Sequence, residues 1–253
     1  MTRPIAMVTG ASSGFGEAIA RRFAQEGWNV IITGRRTERL QALANELEQS
    51  CEVSILPVSF DVRDAKAVST SLNDISEEWR KVEVLVNNAG LAVGRNSIDK
   101  GDLEDWGRMI DTNIKGLLYV TRNVVQWMKA NQLGHIVNIG SIAGKEVYNG
   151  GNVYCATKFA VDALSKAMRV EFIPYGVKVT QIAPGAAETE FSLVRFKGDS
   201  EKANQVYQGY KALTAEDIAD TLWFAVTRPA HVCLNDIVIM PSAQPNSYTF
   251  QKN

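Results

Sequence analysis

The sequence is poor in the residues that bind metals and form disulfides. Its 253 residues include three cysteines and two histidines. Cys51, Cys155 and Cys233 are odd in number and widely spaced, so they predict neither a disulfide framework nor a CxxC metal site. His135 and His231 lie far apart without a cluster of ligands nearby, which favours ordinary surface or core residues. We therefore expect no metal centre and a reducing, cytoplasmic compartment.

Long apolar runs and an excess of one charge are also absent. No stretch approaches the roughly 18 uninterrupted apolar residues of a membrane helix, and residues 1–4 lead into a short strand pattern without a signal-peptide core. The formal net charge of -1 creates no global field that would attract nucleic acid or an anionic membrane. With 45% apolar and 22% charged residues, the chain is typical of one soluble globular domain.

Short β-type runs alternate with longer helical patterns along the chain. Strands are predicted at 5–9, 29–33, 53–58, 84–87, 135–139, 177–182 and 236–240. Helices are predicted at about 14–26, 37–49, 65–78, 103–130, 153–172 and 215–226, and a polar stretch without a regular pattern follows Pro184-Gly185 as far as residue 211. This alternation is typical of βαβ units. It predicts an α/β fold, a single doubly wound domain with a parallel sheet of six to seven strands and helices on both faces.

A glycine-rich turn joins the first predicted strand to the first helix: Thr9-Gly10-Ala11-Ser12-Ser13-Gly14-Phe15-Gly16. Glycines let backbone amides approach a pyrophosphate at a helix N-terminus, where unpaired N–H groups and the helix dipole favour negative charge. Phe15 stands where a P-loop would need lysine and a hydroxyl. A purely structural turn is the alternative, but the strand-loop-helix context favours a dinucleotide site.

The end of the second strand, Thr33-Gly34-Arg35-Arg36, indicates which dinucleotide binds. NAD sites usually carry an acidic residue about 20 residues past the glycines, and none stands here. Arg35 and Arg36 could instead pair with a 2′-phosphate. The alternative for either arginine alone is that it only begins the next helix. The missing acid indicates NADP(H).

Tyr154 and Lys158 lie four residues apart in a predicted helix, with Ser141 thirteen residues upstream. Four residues make about one helical turn, so both side chains leave the same face. An ammonium near a phenol favours the phenolate and should lower the tyrosine pKa towards the working range. A snorkelling surface pair is the alternative. We interpret the pair as a proton-transfer device.

Taken together, these motifs resemble the short-chain dehydrogenase/reductase family, and the resemblance spans nearly the whole chain. The motifs, in the family's order, are TGASSGFG, Asn87-Asn88-Ala89-Gly90, Asn113, Ser141, Tyr154-Cys155-Ala156-Thr157-Lys158 and Pro184-Gly185. The resemblance implies a Rossmann fold, with a cofactor half at about 1–140 and a catalytic and substrate half at about 141–253. It also implies a homotetramer built on the two long helices. The further residues that it implies beside the cofactor are Asp61, Val62, Asn87, Ala89, Gly90, Tyr154, Lys158, Pro184, Gly185 and Thr189.

The resemblance implies a catalytic set of Asn113, Ser141, Tyr154 and Lys158. Tyr154 would exchange a proton with the carbonyl or alcohol oxygen, and Ser141 would donate a hydrogen bond to the same oxygen. Lys158 would lower the pKa of Tyr154 and hold the nicotinamide ribose, while Asn113 would anchor a water that resupplies the proton. Taken singly, Ser141 could be a helix N-cap, Asn113 a polar helix residue and Tyr154 a buried aromatic. Their joint occurrence favours an active site.

A closer likeness, in residues 104–106, 109–113, 115–117, 150–154 and 189–199, is to NADP-dependent 3-hydroxy acid dehydrogenases. Such enzymes oxidise serine, allo-threonine and related short β-hydroxy acids. A sister activity on a similar scaffold reduces sulfoacetaldehyde to isethionate. Because both kinds of substrate are small anions, we expect Arg195 to bind the acidic group and Tyr148 to line the pocket. The alternative for Arg195 is a solvated side chain beside Lys197.

Two other classes of function remain open at this level: a cofactor-binding sensor that has lost turnover, and a nucleotide-sugar epimerase or dehydratase. The intact catalytic set argues against the first, and the roughly 70 residues after the sixth strand are too few for the usual substrate domain of the second. The tail at 241–253 contains Tyr248 and Phe250. We expect this tail to pack across a subunit interface or over a neighbouring site, with a frayed terminus as the alternative.

Overall fold

The computed structural model describes residues 3–252, apart from the side chain of Asn204; Met1, Thr2 and Asn253, which belong to the predicted domain and tail, lie outside this range. Within it, parallel strands form one sheet in the order β3-β2-β1-β4-β5-β6-β7. The strands are β1 (Ile5–Thr9), β2 (Asn29–Gly34), β3 (Ile55–Ser59), β4 (Val82–Asn87), β5 (Gly134–Ile139), β6 (Val177–Pro184) and β7 (Asp236–Ile239). The helices are α1 (Gly14–Gln25), α2 (Thr37–Cys51), α3 (Ala65–Asn73), α4 (Leu103–Ile110), α5 (Leu117–Asn131), α6 (Asn152–Phe172), α7 (Phe191–Arg195), α8 (Ser200–Gln205) and α9 (Ala215–Val226).

Apolar side chains pack on both faces of this sheet. Alternate residues of a strand point to opposite faces, so Ala6 and Val8 join one core while Ile5 and Met7 join the other. The first core lies under α1, α2 and α9, and the second lies under α3, α5 and α6. The predicted doubly wound single domain is therefore confirmed, with seven strands.

The predicted helix at 103–130 is interrupted. Residues Asp111–Gly116, between α4 and α5, form a π-helical stretch, and such insertions re-aim side chains. Gly116 ends this stretch against Val62, where an added Cβ would come 2.7 Å from a Val62 methyl carbon. The spacing of apolar residues in the sequence does not reveal this one wider helical turn, because α4 and α5 follow each other almost without a break. The interruption brings Asn113 to the edge of the candidate site.

The predicted polar stretch after Pro184 also contains helices, the short α7 and α8. We call residues 186–214 the covering segment, because many of them line the large cavity described below. The segment is joined to the rest of the chain by a hydrogen bond from the Gly94 N–H to the Arg195 carbonyl, and by one from Ala186 N–H to the Gln244 side chain. The helix predicted at 65–78 is also shorter, since it ends at Asn73.

The tail packs on its own chain as far as the structure describes it. Phe250 lines the cavity and stacks on Tyr210 with ring centroids 5.0 Å apart. The Ser247 N–H donates to Glu146. A frayed tail is therefore wrong for residues 241–252, and its packing across a subunit interface stays a prediction.

Isolated polar features of the sequence also have definite positions. His135 is buried and its Nε2 lies 2.7 Å from the Thr180 hydroxyl, as expected for a core histidine. Burial lowers the pKa of His135 to about 3. Residues 3–252 bring no three histidine, cysteine, aspartate or glutamate side chains together as a metal site. No helix in the same range is long and apolar enough to span a membrane.

We predict that Gly16→Ala destabilises the protein by about 1–3 kcal/mol, because an added Cβ would lie 2.4 Å from the Gly10 carbonyl oxygen. Gly107→Ala is the matched control, since nothing lies within 4 Å of its added Cβ and alanine gains up to about 1 kcal/mol in a helix. Urea unfolding measures both changes. Equal stabilities for the two variants would contradict the close packing of α1 on the glycine-rich turn.

Candidate active site

A cavity of about 880 Å³ opens at the carboxyl ends of the strands. It lies where the strand order reverses between β1 and β4, the point at which doubly wound sheets bind ligands. Most residues proposed from the sequence meet in its wall: Gly10, Ser12, Ser13, Gly14, Phe15, Arg35, Arg36, Asp61, Val62, Ala89, Gly90, Ser141, Tyr148, Tyr154, Lys158, Pro184, Gly185, Thr189 and Arg195. The expected cofactor, catalytic and substrate residues therefore share one cavity.

Four of the predicted residues, Thr9, Gly16, Asn87 and Asn113, do not line the cavity and instead support its wall. The Thr9 hydroxyl donates to the Val86 carbonyl and accepts the N–H groups of Asn88 and Ala89. The Asn88 amide in turn donates to the Thr9 carbonyl at 2.8 Å. These bonds join the end of β1 to the end of β4.

Asn87 and Asn113 are buried behind the cavity. Asn87 donates to the Thr121 hydroxyl and to Asn138, so it ties β4 to α5 and β5. Asn113 makes a two-way clamp on Leu91, accepting its N–H and donating to its carbonyl, both at 2.8 Å. In this structure Asn113 therefore positions the chain that follows Gly90.

The glycine-rich turn leaves the start of α1 open to the cavity. Gly10 and Gly14 have φ values of +66° and +57°, a backbone region that favours glycine. Ser13 precedes α1, but its side chain makes no capping hydrogen bond, so the first N–H groups of the helix have no side-chain cap within the described part of the chain. Such a helix end suits a phosphate group.

Three of the four predicted catalytic side chains lie just after β5 and on α6. Ser141 follows β5, where its hydroxyl accepts the Ala143 N–H at 3.1 Å and lies 3.4 Å from the Pro184 carbonyl. It is thus both a helix cap and a cavity residue. Lys158 is 6% exposed and donates from Nζ to the Ile139 carbonyl at 2.8 Å. Its Nζ lies 5.9 Å from the centre of the Tyr154 ring.

The pKa of Tyr154 does not follow the sequence-based expectation. Burial of the phenol, with the neighbouring Tyr148, raises the pKa of Tyr154, and the Ser141 hydroxyl and the Arg195 charge oppose this rise without overcoming it. Burial also lowers the pKa of Lys158 to about 8. The expected fall in the pKa of Tyr154 was therefore wrong for the protein by itself, since removing both groups from water disfavours both charged forms.

Arg195 lies against the candidate catalytic tyrosine. Its Nη2 donates to the Tyr148 hydroxyl at 2.9 Å, and its guanidinium carbon is 5.9 Å from the centre of the Tyr154 ring. Its Nε is buried without a hydrogen-bond partner among the described residues. Lys197, its expected solvent neighbour, turns away to Asp105 at 2.8 Å. The solvated arrangement of Arg195 is therefore wrong.

The two arginines after β2 make ion pairs and hydrogen bonds with residues distant in the sequence. Arg35 lies 3.8 Å from Asp61, and Arg36 reaches back to the hydroxyls of Ser12 and Ser13. Arg36 also donates to Glu190, at 3.0 Å. A carboxylate does stand beside the expected 2′-phosphate site, but it comes from a distant part of the chain.

Sequence reasoning missed several residues that line the cavity, namely Asn88, Arg95, Arg108, Thr112, Glu190, Phe191, Ser192, Lys202, Tyr207 and Lys252. Glu190 and Phe191 follow Thr189 directly and stand inside a stretch quoted for its likeness, so adjacency was a signal for them. Tyr207 carries no such signal, because only folding of the covering segment brings it to the cavity.

The fold and site together define a class: a single-domain dinucleotide-binding protein with a buried tyrosine and lysine and a half-buried serine at the open end of its sheet. The short chain dehydrogenase family matches residues 4–199. The chain belongs to the short chain dehydrogenase family, which makes it an oxidoreductase acting on CH–OH groups.

Close relatives cover almost the whole chain. It is 50% identical over 241 residues to the NADP-dependent 3-hydroxy acid dehydrogenase YdfG of Salmonella typhi, covering 95% of this chain and 96% of that one. It is 46% identical to sulfoacetaldehyde reductase 2 of Chromohalobacter salexigens, with 95% of both chains covered. A solved structure, the closed form of serine dehydrogenase complexed with NADP⁺, has a TM-score of 0.92 and 46% identity and covers 98% of this chain and 99% of that one. The two expected subgroups are thus both found among its relatives.

The buried Lys158 predicts a pH-dependent stability. Because its pKa of about 8 lies below the ordinary value of 10.5, the unfolded chain binds more protons between these two values, and stability rises with pH in that window. Relative to Lys158→Met, the wild type without added cofactor should gain up to about 3 kcal/mol between pH 8 and pH 10.5. Urea unfolding at several pH values measures the difference.

The control for this experiment is Lys166→Met, which removes an exposed lysine from the same helix. Its stability difference from wild type should not show the same rise. A flat difference for Lys158→Met would mean that the buried ammonium keeps an ordinary pKa, and would contradict the electrostatic description of the site.

Proposed function

We propose that this protein is an NADP(H)-dependent oxidoreductase that interconverts a small 3-hydroxy acid and its aldehyde or ketone. The observation that carries this proposal is the Arg195 guanidinium beside the Tyr154 ring, in the cavity that Lys158 and Ser141 also line. A cation at that point suits a substrate with an acidic group next to the reacting carbon. The relatives named for NADP-dependent 3-hydroxy acid dehydrogenation support the same substrate class.

The residues present fit a phosphorylated dinucleotide. The uncapped start of α1 and the positive-φ glycines leave backbone N–H groups for the pyrophosphate. An added Cβ on Gly90 would lie 3.3 Å from the Asn113 side chain and 3.6 Å from Lys158 Nζ, so a larger residue would crowd these groups. Arg35 and Arg36 would hold the 2′-phosphate. When bound, NADP(H) supplies or accepts the hydride.

The chain's own residues would then move the proton. Tyr154 donates a proton to the carbonyl oxygen during reduction and removes it from the alcohol during oxidation. Ser141 donates a hydrogen bond to the same oxygen and stabilises its developing negative charge. Lys158, whose Nζ lies 5.9 Å from the centre of the Tyr154 ring, would hold the nicotinamide ribose. Asn113 holds the backbone after Gly90 in place through its two hydrogen bonds to Leu91. A water bound to Asn113 would resupply the proton to the site.

Arg195 would bind the acidic group of the substrate. Its Nε is buried without a partner in the described part of the chain, and an anion would satisfy this donor. Tyr148 orients the guanidinium through its hydroxyl. Charge-assisted hydrogen bonds of this kind are stronger than neutral ones, so Arg195 would contribute to substrate affinity.

A second candidate function is the NADPH-dependent reduction of sulfoacetaldehyde to isethionate. Its support is the 46% identical sulfoacetaldehyde reductase 2. A sulfonate and a carboxylate are both small anions that a guanidinium binds, so Arg195 suits either one. A non-catalytic NADPH sensor has less support, because the cavity contains the tyrosine, lysine and serine that turnover needs.

A homotetramer is also part of the proposal. Large apolar side chains are exposed on and beside the long helices, including Leu118 on α5, Phe159 and Val170 on α6, and Ile173 just after α6. Burial of exposed apolar side chains of this kind in an interface would favour association. A cytoplasmic location stays a prediction from the cysteine usage.

The test of the function is NADPH oxidation with malonic semialdehyde and with sulfoacetaldehyde. We expect turnover with at least one of them and a higher kcat/KM for malonic semialdehyde. Tyr154→Phe should lower kcat by about 10²- to 10⁴-fold, because the proton donor is lost, while NADPH binding is retained. No turnover of either substrate by the wild type would contradict the proposed substrate class. A preference for sulfoacetaldehyde would favour the second candidate.

We predict that Arg195→Ala raises the KM for malonic semialdehyde by about tenfold to a hundredfold, because a charge-assisted contact is removed. The KM for propanal, a neutral aldehyde of similar size, is the control and should change little. Arg195→Lys keeps the charge but not the planar fork, so its KM should fall between those of the wild type and the alanine variant. An unchanged KM for the acid in Arg195→Ala would exclude Arg195 as the anion-binding residue.

A further inference from the structure

Glu190 forms a bridge between two arginines that belong to the start of α2. Its Oε2 accepts from Arg36 Nη1 at 3.0 Å, and its Oε1 accepts from Arg39 Nη1 at 2.9 Å. Glu190 itself precedes α7, about 150 residues further along the chain. One carboxylate of the covering segment is thus shared by two guanidiniums at the edge of the cavity.

The same carboxylate lies over the glycine-rich turn. Arg36 holds Glu190 with one nitrogen while its others donate to Ser12 and Ser13, at the start of α1. The preceding residue, Thr189, also lies against this turn, since an added Cβ on Gly14 would lie 3.5 Å from the Thr189 Cβ. Residues 189 and 190 therefore cross the turn where the phosphates of a dinucleotide are expected.

The chemistry of this contact resembles that of a bound phosphate. A carboxylate and a phosphate both accept two parallel hydrogen bonds from guanidinium groups. Hydrogen bonds from Arg39, and then from Arg36 and Ser13, lower the pKa of Glu190 to about 2 against the opposing effect of burial, so the side chain stays ionised near neutral pH. A 2′-phosphate carries a larger negative charge, and two anions sharing the same arginines would repel each other.

We propose that Glu190 is a cofactor-specificity residue whose carboxylate occupies Arg36 and Arg39 in place of the 2′-phosphate and is displaced when NADP(H) binds. This inference rests on the proposed use of NADP(H). NADH has no 2′-phosphate and leaves the pairing of Glu190 intact. Glu190 therefore lowers the affinity for NADP(H) selectively, because displacement costs the two ion pairs.

Removal of the Glu190 charge should leave the rest of the covering segment in place. The other end of α7 is held independently, by the hydrogen bond from Gly94 to Arg195 and by the ion pair between Lys197 and the buried Asp105. Glu190 is also partly exposed, so its replacement opens no cavity in the core. Glu190→Gln keeps the shape of the side chain and removes only its charge.

The experiment measures the binding of NADPH and of NADH to the full chain without substrate. Isothermal titration calorimetry gives the dissociation constant of each cofactor. Glu190→Gln should bind NADPH about threefold to tenfold more tightly than the wild type, the range expected for two exposed ion pairs. Its affinity for NADH should be unchanged. Glu188→Gln is the matched control, since it removes the same charge from an exposed position two residues earlier and should alter neither affinity.

Four results would overturn the inference. Weaker NADPH binding by Glu190→Gln would mean that Glu190 holds the arginines ready for the phosphate. Equal changes for NADPH and NADH, or no change for either in a protein that still prefers NADPH, would remove Glu190 from cofactor discrimination while leaving the proposed function intact. A wild type that binds NADH as tightly as NADPH would overturn the cofactor proposal itself, and this inference with it.

Discussion

The hydrogen bonds between the end of β1 and the end of β4 are the constraint on which the site depends. Thr9 and Asn88 join the two strands at the point where the strand order reverses. The glycine-rich turn begins at one side of this junction, and the Gly90 to Leu91 segment leaves from the other. Because Asn113 clamps Leu91, the junction also determines where the π-helical stretch contacts the site. The glycine-rich turn and the chain after Gly90 are thus held by one small hydrogen-bond network.

Burial is the second physical influence on the site. It shifts the pKa values of Tyr154 and Lys158 in opposite directions, and both shifts favour the neutral forms. A neutral phenol is the form that can donate a proton to a carbonyl oxygen. Arg195 places its guanidinium in the same cavity. The cavity therefore combines a neutral phenol with a guanidinium, the pair on which the proposed activity towards small acidic carbonyl compounds rests.

The sequence patterns predicted most of the fold because strands and helices in this chain are strongly periodic. Each predicted strand is present within a few residues, and the glycine-rich turn stands at the start of α1 as expected. The π-helical stretch at Asp111–Gly116 was missed, because one wider turn leaves the apolar periodicity almost unchanged. The helices of the covering segment were missed as well, because α7 and α8 are too short to show a clear pattern.

The amino-acid sequence by itself determined the family, the motifs and their order, because each motif is local and its residues need only a turn of helix or loop to act together. Only the tertiary structure decided which charges meet. Arg36 was visible as a candidate for a phosphate, but its contact with Glu190 joins residues 154 positions apart. Arg195 likewise turned towards Tyr154 while Lys197, two residues later, turned to Asp105. Electrostatic partners act through space, so a chain must fold before its ion pairs and buried pKa values are defined.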